Sequence, residues 1–392
     1  MTRVRTAIVI GGGIAGPVTA LALRRAGIEA TVHEAYPGGA DGVGGTIALA
    51  PNGLAALALA GVTVPSTQPI SRQVMAVGGK RVPLPALTGV APLQVVRRAD
   101  LYRALQSQVP ISYGKRLVDV RSSPDGCTAV FADGSTASGD VLIGADGVHS
   151  TVRRLIDPSA PGPRYTGMVA FEGRSEASVP DDPDTMTFAF GAKAYYLYWS
   201  LPGAGTVWGV NLPSRSPLTI AQARETPPAE WLSRLLAIYG QDTPGGELLR
   251  RTPIPSLQAN GALYIMPPVP RWYRDRMVLV GDAVHAPSNS SGQGASLAIE
   301  SAVQLARCLR DLPLADAFAA YERLRRARVE RVASRAAKIN QIKAPGRIGQ
   351  AVMPIAMRLL LKVAMKPEKT IGPEQRYRID WDAPVDPGLQ PA

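Results

Sequence analysis

Apolar positions in this chain follow two rhythms. One is the short, unbroken apolar run. Residues 8–23, "IVIGGGIAGPVTALAL", give a run of this kind, then three glycines, then a stretch rich in Ala and Leu; "EATVHEA" adds a further apolar run closed by Glu34. The pattern predicts a strand–helix–strand unit over the first 34 residues. "GGTIALAPNGLAALALAG" (44–61) predicts a short strand and a helix ended by Gly61 at its C′ position. Leu101, Leu105 and Val109 recur at helical spacing in "VVRRADLYRALQSQV" (95–109). Residues 71–84 predict a hairpin turned at Gly78-Gly79. Another turns at Asp133-Gly134 and runs into the buried strand "DVLIGADG". "MVLVGDA" (277–283) returns to the buried parallel type, with a long helical stretch behind it over 292–311.

The second rhythm is alternation. Between 164 and 212 the chain is strand-like and aromatic: "MTFAFG", "AYYLYWSLPG", "TVWGVNLP". This predicts an antiparallel sheet of its own, inserted into the first unit. Side chains alternate along a strand, so Tyr195, Leu197 and Trp199 share one face, and Tyr196 and Tyr198 the other. One of these faces should line a pocket.

Bulk properties narrow the class. The sequence is 46% hydrophobic and 19% charged, which fits a globular chain of about two or three domains. Its two cysteines, Cys127 and Cys308, lack metal or redox spacing, which argues against a disulfide framework and suits a reducing, cytoplasmic setting. The N-terminal apolar run is broken by glycines and is not read as a signal peptide. The net charge of +12 is spread along the chain, apart from "RLRRARVERVASRAAK" (323–338), read as a solvated helix face. Such charge is expected to attract anionic cofactors rather than nucleic acid. The tail at 348–365 is apolar but carries Pro354, Arg358 and Lys362. It is expected to form a helix packed on the body, since a span needs about 20 predominantly apolar residues.

The candidate chemistry starts at Gly11-x-Gly13-x-x-Gly16. The first glycine permits a tight turn, the second a close approach to a pyrophosphate, and the third close packing of helix on strand. The helix N-terminus turns unpaired N–H groups toward the phosphates. Glu34, about 20 residues on, is placed to accept from a ribose hydroxyl. This predicts a dinucleotide site and leaves FAD and NAD(P) open. Asp146-Gly147 and Gly281-Asp282 each follow a strand, and Gly292-Gln293-Gly294 opens a helix. Ligands of open α/β sheets bind at such carboxyl ends of strands. His285 is read as a loop residue rather than a base, and His33 and His149 as structural. No metal is expected.

Taken in order, GxGxxG, "GADG" and "GDAVH……GQG", together with "GGTIAL", "RADLYRAL" and the "P..W..DRMVLVGDA" approach, resemble the single-component flavoprotein aromatic hydroxylases. This is the family of p-hydroxybenzoate hydroxylase and the tetracycline-inactivating monooxygenases. The resemblance covers about residues 4–340. It implies an α/β fold with a Rossmann-like (GR2-type) FAD-binding domain (1–70, 93–160, 270–340), an inserted β-sheet substrate domain (71–92, 161–269) and a C-terminal helical segment (341–392). It implies that Gly11, Gly13, Ile14, Ala15, Gly16 and Glu34 hold the FAD pyrophosphate and adenosine ribose, and that Arg98 contacts the phosphate and ribityl region. Asp282 would bind the flavin chain. Gly45, Thr46 and Ile47 would border the ring on one side, and Gly292, Gly294 and Ala295 on the other. Asp146, with Arg153, would handle FAD and NADPH. Glu172, Trp199, Trp208 and Asn289 would lie near the substrate.

The implied activity is an NAD(P)H-consuming monooxygenase with tightly bound, non-covalent FAD. It would transfer one oxygen atom of O₂ through a flavin C4a-hydroperoxide to an aromatic or polycyclic, polyketide-type molecule of secondary metabolism such as antibiotic biosynthesis. NADPH would visit transiently, since no second GxGxxG exists, and the chain would act as a monomer or weak homodimer. No protein residue is assigned as catalytic, because the cofactor carries the chemistry. Two departures motivate an alternative, a flavin-binding protein with lost or altered oxygenase chemistry, serving as a scaffold or catalysing a rearrangement. Asn289 stands where the family usually has proline, and Ser301 where it has an acid after Glu300. A flavin-dependent halogenase shares the N-terminal fingerprint but is disfavoured, since that group has a W-x-W-x-I-P motif and no two tryptophans here lie two residues apart.

Overall fold

The apolar runs assemble into one mostly parallel sheet. The computed structural model describes residues 3–39, 44–64, 68–77, 79–343 and 367–386. Its first sheet runs β18 (Tyr273–Arg274), β19 (Met277–Leu279), β12 (Val141–Gly144), β1 (Thr6–Ile10), β2 (Glu29–His33), β8 (Ile111–Ser112), with only the β18–β19 pair antiparallel. Both faces of β1 are covered, which is why the run shows no alternation. Helices α1 (Ala15–Arg25) and α8 (Gly294–Asp311) lie on one side. The meander β9 (Leu117–Ser122), β10 (Cys127–Phe131), β11 (Thr136–Gly139) lies on the other. Ile8 and Val9 are wholly buried between them.

A second, seven-stranded sheet runs β17 (Gln258–Ile265), β13 (Arg164–Ser175), β16 (Gly205–Pro213), β15 (Tyr195–Leu201), β14 (Thr185–Phe190), β5 (Arg72–Val77), β6 (Lys80–Pro83). The alternation pointed to an antiparallel sheet. Every neighbouring pair is antiparallel except β14 and β5, which are parallel. The exception arises because β5 enters from the earlier part of the chain, beside the long excursion that makes β13 to β16. Helices α5 (Ile220–Glu225), α6 (Pro228–Tyr239) and α7 (Gly245–Arg250) cover one face, in a segment where the sequence suggested no element.

A small sheet, β3 (Thr46–Leu49), β7 (Leu93–Arg97), β4 (Gln68–Ile70), joins the two larger ones. The expected helix at 95–109 is narrower: Val95 to Arg97 belong to β7, and α3 spans Arg98–Gln106. Helix α2 (Pro51–Leu59) ends as expected, with Gly61 at φ +76°.

The basic run 323–338 is corrected by the structure. It lies in α9 (Leu314–Lys343), but Arg325 and Arg328 are buried against Glu300 of α8, so only part of that face meets solvent. Beyond it, α10 (Pro367–Thr370), α11 (Gly372–Gln375) and the following coil return over the body. Trp381 is held between Arg25 and Arg310, and Glu374 pairs with Arg335. The helix expected at 348–365 lies outside the described residues. Among the described residues no helix is long and apolar enough to cross a membrane.

Candidate active site

The three N-terminal glycines have three different reasons. Gly11 adopts φ +110°, and a Cβ there would sit 2.3 Å from the carbonyl oxygen of Ala145. A Cβ on Gly16 would sit 1.8 Å from the Gly11 oxygen, so only glycine lets α1 pack this close to the strand end. At Gly13 a Cβ would meet nothing within 4 Å, which leaves its backbone open to a ligand. No side chain caps the N-terminus of α1 at Ile14, or that of α8 at Gln293. Gly281 (φ +60°) fits where a Cβ would lie 2.9 Å from Ala15 and 3.3 Å from Ala298, so the two helix starts converge at the end of β19. Uncapped N–H groups from two helices, together with their dipoles, form a corner that could receive a phosphate or an oxyanion.

Asp282 stands at this corner. It is exposed by area, yet desolvation raises its carboxyl to about 6, opposed by the charge of Arg98. Its carboxyl therefore borders an open space, the cleft, while packed protein around the end of β19 surrounds its other sides. Arg98 is positioned by its N–H, which donates to the Gly45 carbonyl at 3.0 Å, and by its side chain, which lies over Gly44. Glu34 accepts from Gly12 N–H at 2.7 Å and Tyr36 N–H at 2.9 Å, fixing its carboxylate beside the glycine turn.

Asp146 is engaged differently. Its oxygens accept from the Ser150 hydroxyl and from the N–H groups of Thr151 and Val152, so it caps α4 (Thr151–Ile156), and burial raises its pKa. Arg153 donates to the carbonyls of Ala283 and Val148, tying the Asp146 turn to the Asp282 turn.

Glu172 reaches across from the second sheet. Its carboxylate accepts from Thr46 N–H at 2.9 Å and from the Thr46 hydroxyl at 2.7 Å, directly over Gly45. Burial raises its pKa, and the two Thr46 bonds oppose that. The Glu172 face of the sheet is therefore the one turned toward β3 and the cleft. Trp199 shares this face and is buried with Ile70, Val95 and Met186 beneath the small sheet. Trp208 does not share it. It pairs across with Tyr198 and Gly173, packs among Phe171, Trp231 and Leu248, and donates from Nε1 to Thr252. The cross-strand register puts it on the helix side, away from the cleft. Asn289 is exposed in the short turn Asn289–Ser291, just before the start of α8. The structure thus brings together Gly11 to Gly16, Glu34, Arg98, Asp282, Gly45, Thr46, Glu172 and the Gly292–Ala295 turn around one cleft, and leaves Trp208 out. A hollow of about 410 Å³ beside α9, lined by Tyr273, Arg323 and Arg326, contains none of these residues.

A family model described as an FAD binding domain matches residues 3–336. The chain belongs to this family of FAD-dependent monooxygenases. It is 33% identical over 352 residues to 3-amino-4-hydroxybenzoate 2-monooxygenase of Streptomyces cremeus, covering 84% of this chain and 86% of that one. It is also 33% identical to the FAD-dependent urate hydroxylase of Klebsiella pneumoniae, covering 85% and 88%. The crystal structure of Klebsiella pneumoniae HpxO with FAD and uric acid superposes with a TM-score of 0.79 at 27% identity, covering 95% of this chain and 96% of that one. A salicylate hydroxylase substrate complex shares the fold, with a TM-score of 0.69 at 21% identity. The protein is an FAD-dependent aromatic hydroxylase.

Within this monooxygenase, Ser301 has a definite structural use. Its hydroxyl contacts His285 Nε2 at 2.8 Å and Arg325 Nε at 3.2 Å. His285 is buried, and its pKa is pushed down to about 3, first by desolvation and then by Arg325. It is neutral at physiological pH and supports the turn, as the sequence suggested. Glu300, one residue earlier, receives Arg325, Arg328 and Asn52, and Asn52 also donates to Gln293 Oε1 at 2.9 Å. A buried ion cluster thus fixes the Gly292–Gly294 turn from behind. Sequence reasoning missed it because the partners lie on separate elements.

Proposed function

We propose that this monooxygenase consumes NADPH and inserts one atom of O₂ into an aromatic or polycyclic small molecule. The residues named below would hold FAD, which when bound would supply the redox chemistry between the nicotinamide and O₂. In this reading residues 1–70, 93–160 and 270–340 carry the cofactor, and 71–92 and 161–269 carry the substrate. Gly11, Gly13, Ile14, Ala15 and Gly16 hold the pyrophosphate against the start of α1. Glu34 takes the adenosine ribose, and Arg98 and Asp282 take the flavin's connecting chain. Gly45 and Thr46 border the ring on one side and the N–H groups of Gly292, Gly294 and Ala295 on the other. Asp146 acts through Arg153 as a positioning residue for the Asp282 turn. Asn289, in the turn just before α8, would lie near the substrate. The chain itself orients the substrate, supplies oriented N–H dipoles and excludes water.

The observation that carries this reading is the convergence of two uncapped helix N-termini and Asp282 opposite a half-buried aromatic sheet face. The test is the absorbance spectrum of the purified protein, followed by anaerobic addition of NADPH with and without polycyclic phenols. Flavin bands that bleach faster with phenol, and oxygen uptake matched by oxygenated product, are expected. Bound flavin that NADPH never reduces would overturn the reading.

A further inference from the structure

The Glu172 face carries an in-register row across five strands. Glu172 lies opposite Gly209, Gly209 opposite Leu197, Leu197 opposite Phe188, and Phe188 opposite Met75. All five are half-buried, whereas the residues between them on the helix side, such as Phe171, Trp208 and Tyr198, are fully buried. Tyr195 flanks the row, its ring near those of Phe188 and Phe190. The row is thus apolar over most of its length, with one carboxylate at the end nearest Thr46.

Two details make that end a recognition point. At Gly173, on the opposite face, a Cβ would collide with Trp208 at 2.4 Å, so packing demands glycine. At Gly209 a Cβ would meet only an ordinary contact, with Leu197 at 3.5 Å. Glycine there leaves a notch in the floor beside Glu172. Each Glu172 oxygen takes one hydrogen bond from Thr46, and a carboxylate has about four acceptor positions, so both oxygens retain capacity. Among the described residues no lysine or arginine forms an ion pair or hydrogen bond with Glu172, whose donors both belong to Thr46. Arg174, two residues along the same strand face, is exposed opposite Val207 and is not one of its partners. The other cleft carboxylate, Asp282, differs in having the charge of Arg98.

We propose that Glu172 is the specificity-determining acceptor of this pocket. It selects an uncharged arene bearing a hydrogen-bond donor, such as a phenol, an aniline or a ring N–H, and excludes arenes bearing a carboxylate. A donor satisfies the free lone pairs of Glu172, and the apolar row takes the rest of the ring system. A substrate carboxylate in the same notch would meet a second carboxyl group with no cation beside it, and away from bulk water the two cannot both stay ionised without cost. This assignment rests on the flavin reading of the cleft, and it separates the chain from relatives named for benzoates.

The test is calorimetric binding of 1-naphthol and 1-naphthoate to the full-length FAD-loaded protein at neutral pH. Naphthol is expected to bind at least tenfold more tightly, about 1.4 kcal/mol. Glu172→Gln keeps an acceptor for Thr46 and replaces the carboxyl group by an amide. It should bring the two affinities within about threefold, mainly by a gain for naphthoate, which no longer meets a second carboxyl group and can accept from the new amide. Naphthoate binding as well as naphthol in the unaltered protein, an unchanged ratio in the variant, or no binding of either ligand would overturn the proposal. Reduction by NADPH is followed separately without ligand. Its failure would sink the monooxygenase reading and leave the binding ratio to stand or fall alone.

Discussion

Asp282 illustrates a conflict between stability and ligand binding at one side chain. Folded, it holds its proton up to about pH 6, against 3.8 for an ordinary aspartate, so ionisation opposes folding. In the FAD-free protein this contribution is favourable below the lower value and is lost as pH rises through the upper one. Asp282→Asn should flatten that dependence in denaturant unfolding across this window. The same change removes a charged acceptor for the cofactor. A hydrogen bond to a charged group contributes about 1.5–3 kcal/mol, so FAD affinity should fall roughly 10- to 100-fold in a flavin fluorescence titration. A variant that holds FAD as tightly as the parent would remove Asp282 from the cofactor site. The position of Asp282 was legible in the sequence, from the strand end and the glycines beside it. Gly209 was not, since nothing in a sequence distinguishes a glycine required by packing from one that opens a notch.

The sheet strands separate structure from recognition by parity. Trp208→Ala should cost about 3–5 kcal/mol in unfolding free energy while leaving substrate affinity unchanged, because its ring lies on the helix side. Leu197→Ala, on the cleft side, should weaken ligand binding at a smaller cost in stability. Equal effects of the two on ligand affinity would contradict the assignment of faces. Periodicity alone grouped Tyr195 with Leu197 and Trp199, but it could not say which face meets the cofactor. That needed the contact of Glu172 with Thr46, 126 residues earlier. The arginines of α9 show the same limit. Their spacing is that of a polar helix face, yet Glu300 on α8 draws two of them inside. Glu300→Ala would strand Arg325 and Arg328 in the interior, with an expected loss of about 3–5 kcal/mol in a chemical denaturation curve.

At the scale of the whole molecule, the last described segment closes the structure. Arg25 and Arg310 flank the Trp381 ring at 4.7 and 4.8 Å, Arg310 donates to the Trp381 carbonyl, and Arg328 donates to that of Glu374. Trp381→Ala should lower the temperature at which FAD is released, read as the rise in flavin fluorescence on heating, since replacing a buried tryptophan costs about 3–5 kcal/mol. An unchanged release temperature would mean that the segment only rests on the body. The overall architecture was legible from three glycine-bearing motifs in order, whereas this return of the chain was not, because its contacts are cation–ring and side chain–carbonyl pairs with no local pattern.

The parallel sheet also has a consequence for the order of events during synthesis. Its central strand β1 is made first, but one neighbour, β12, follows more than a hundred residues later, and β19 and α8 emerge only after residue 277. The seven-stranded sheet is complete once residue 265 has appeared. A nascent chain, folding as it leaves the ribosome, can therefore finish the inserted sheet while the apolar β1 and α1 still lack their partners. The corner where two helix starts meet does not exist until α8 arrives. A cofactor held there would join a nearly finished molecule, and the first glycine motif to be translated would be among the last parts to be put to use.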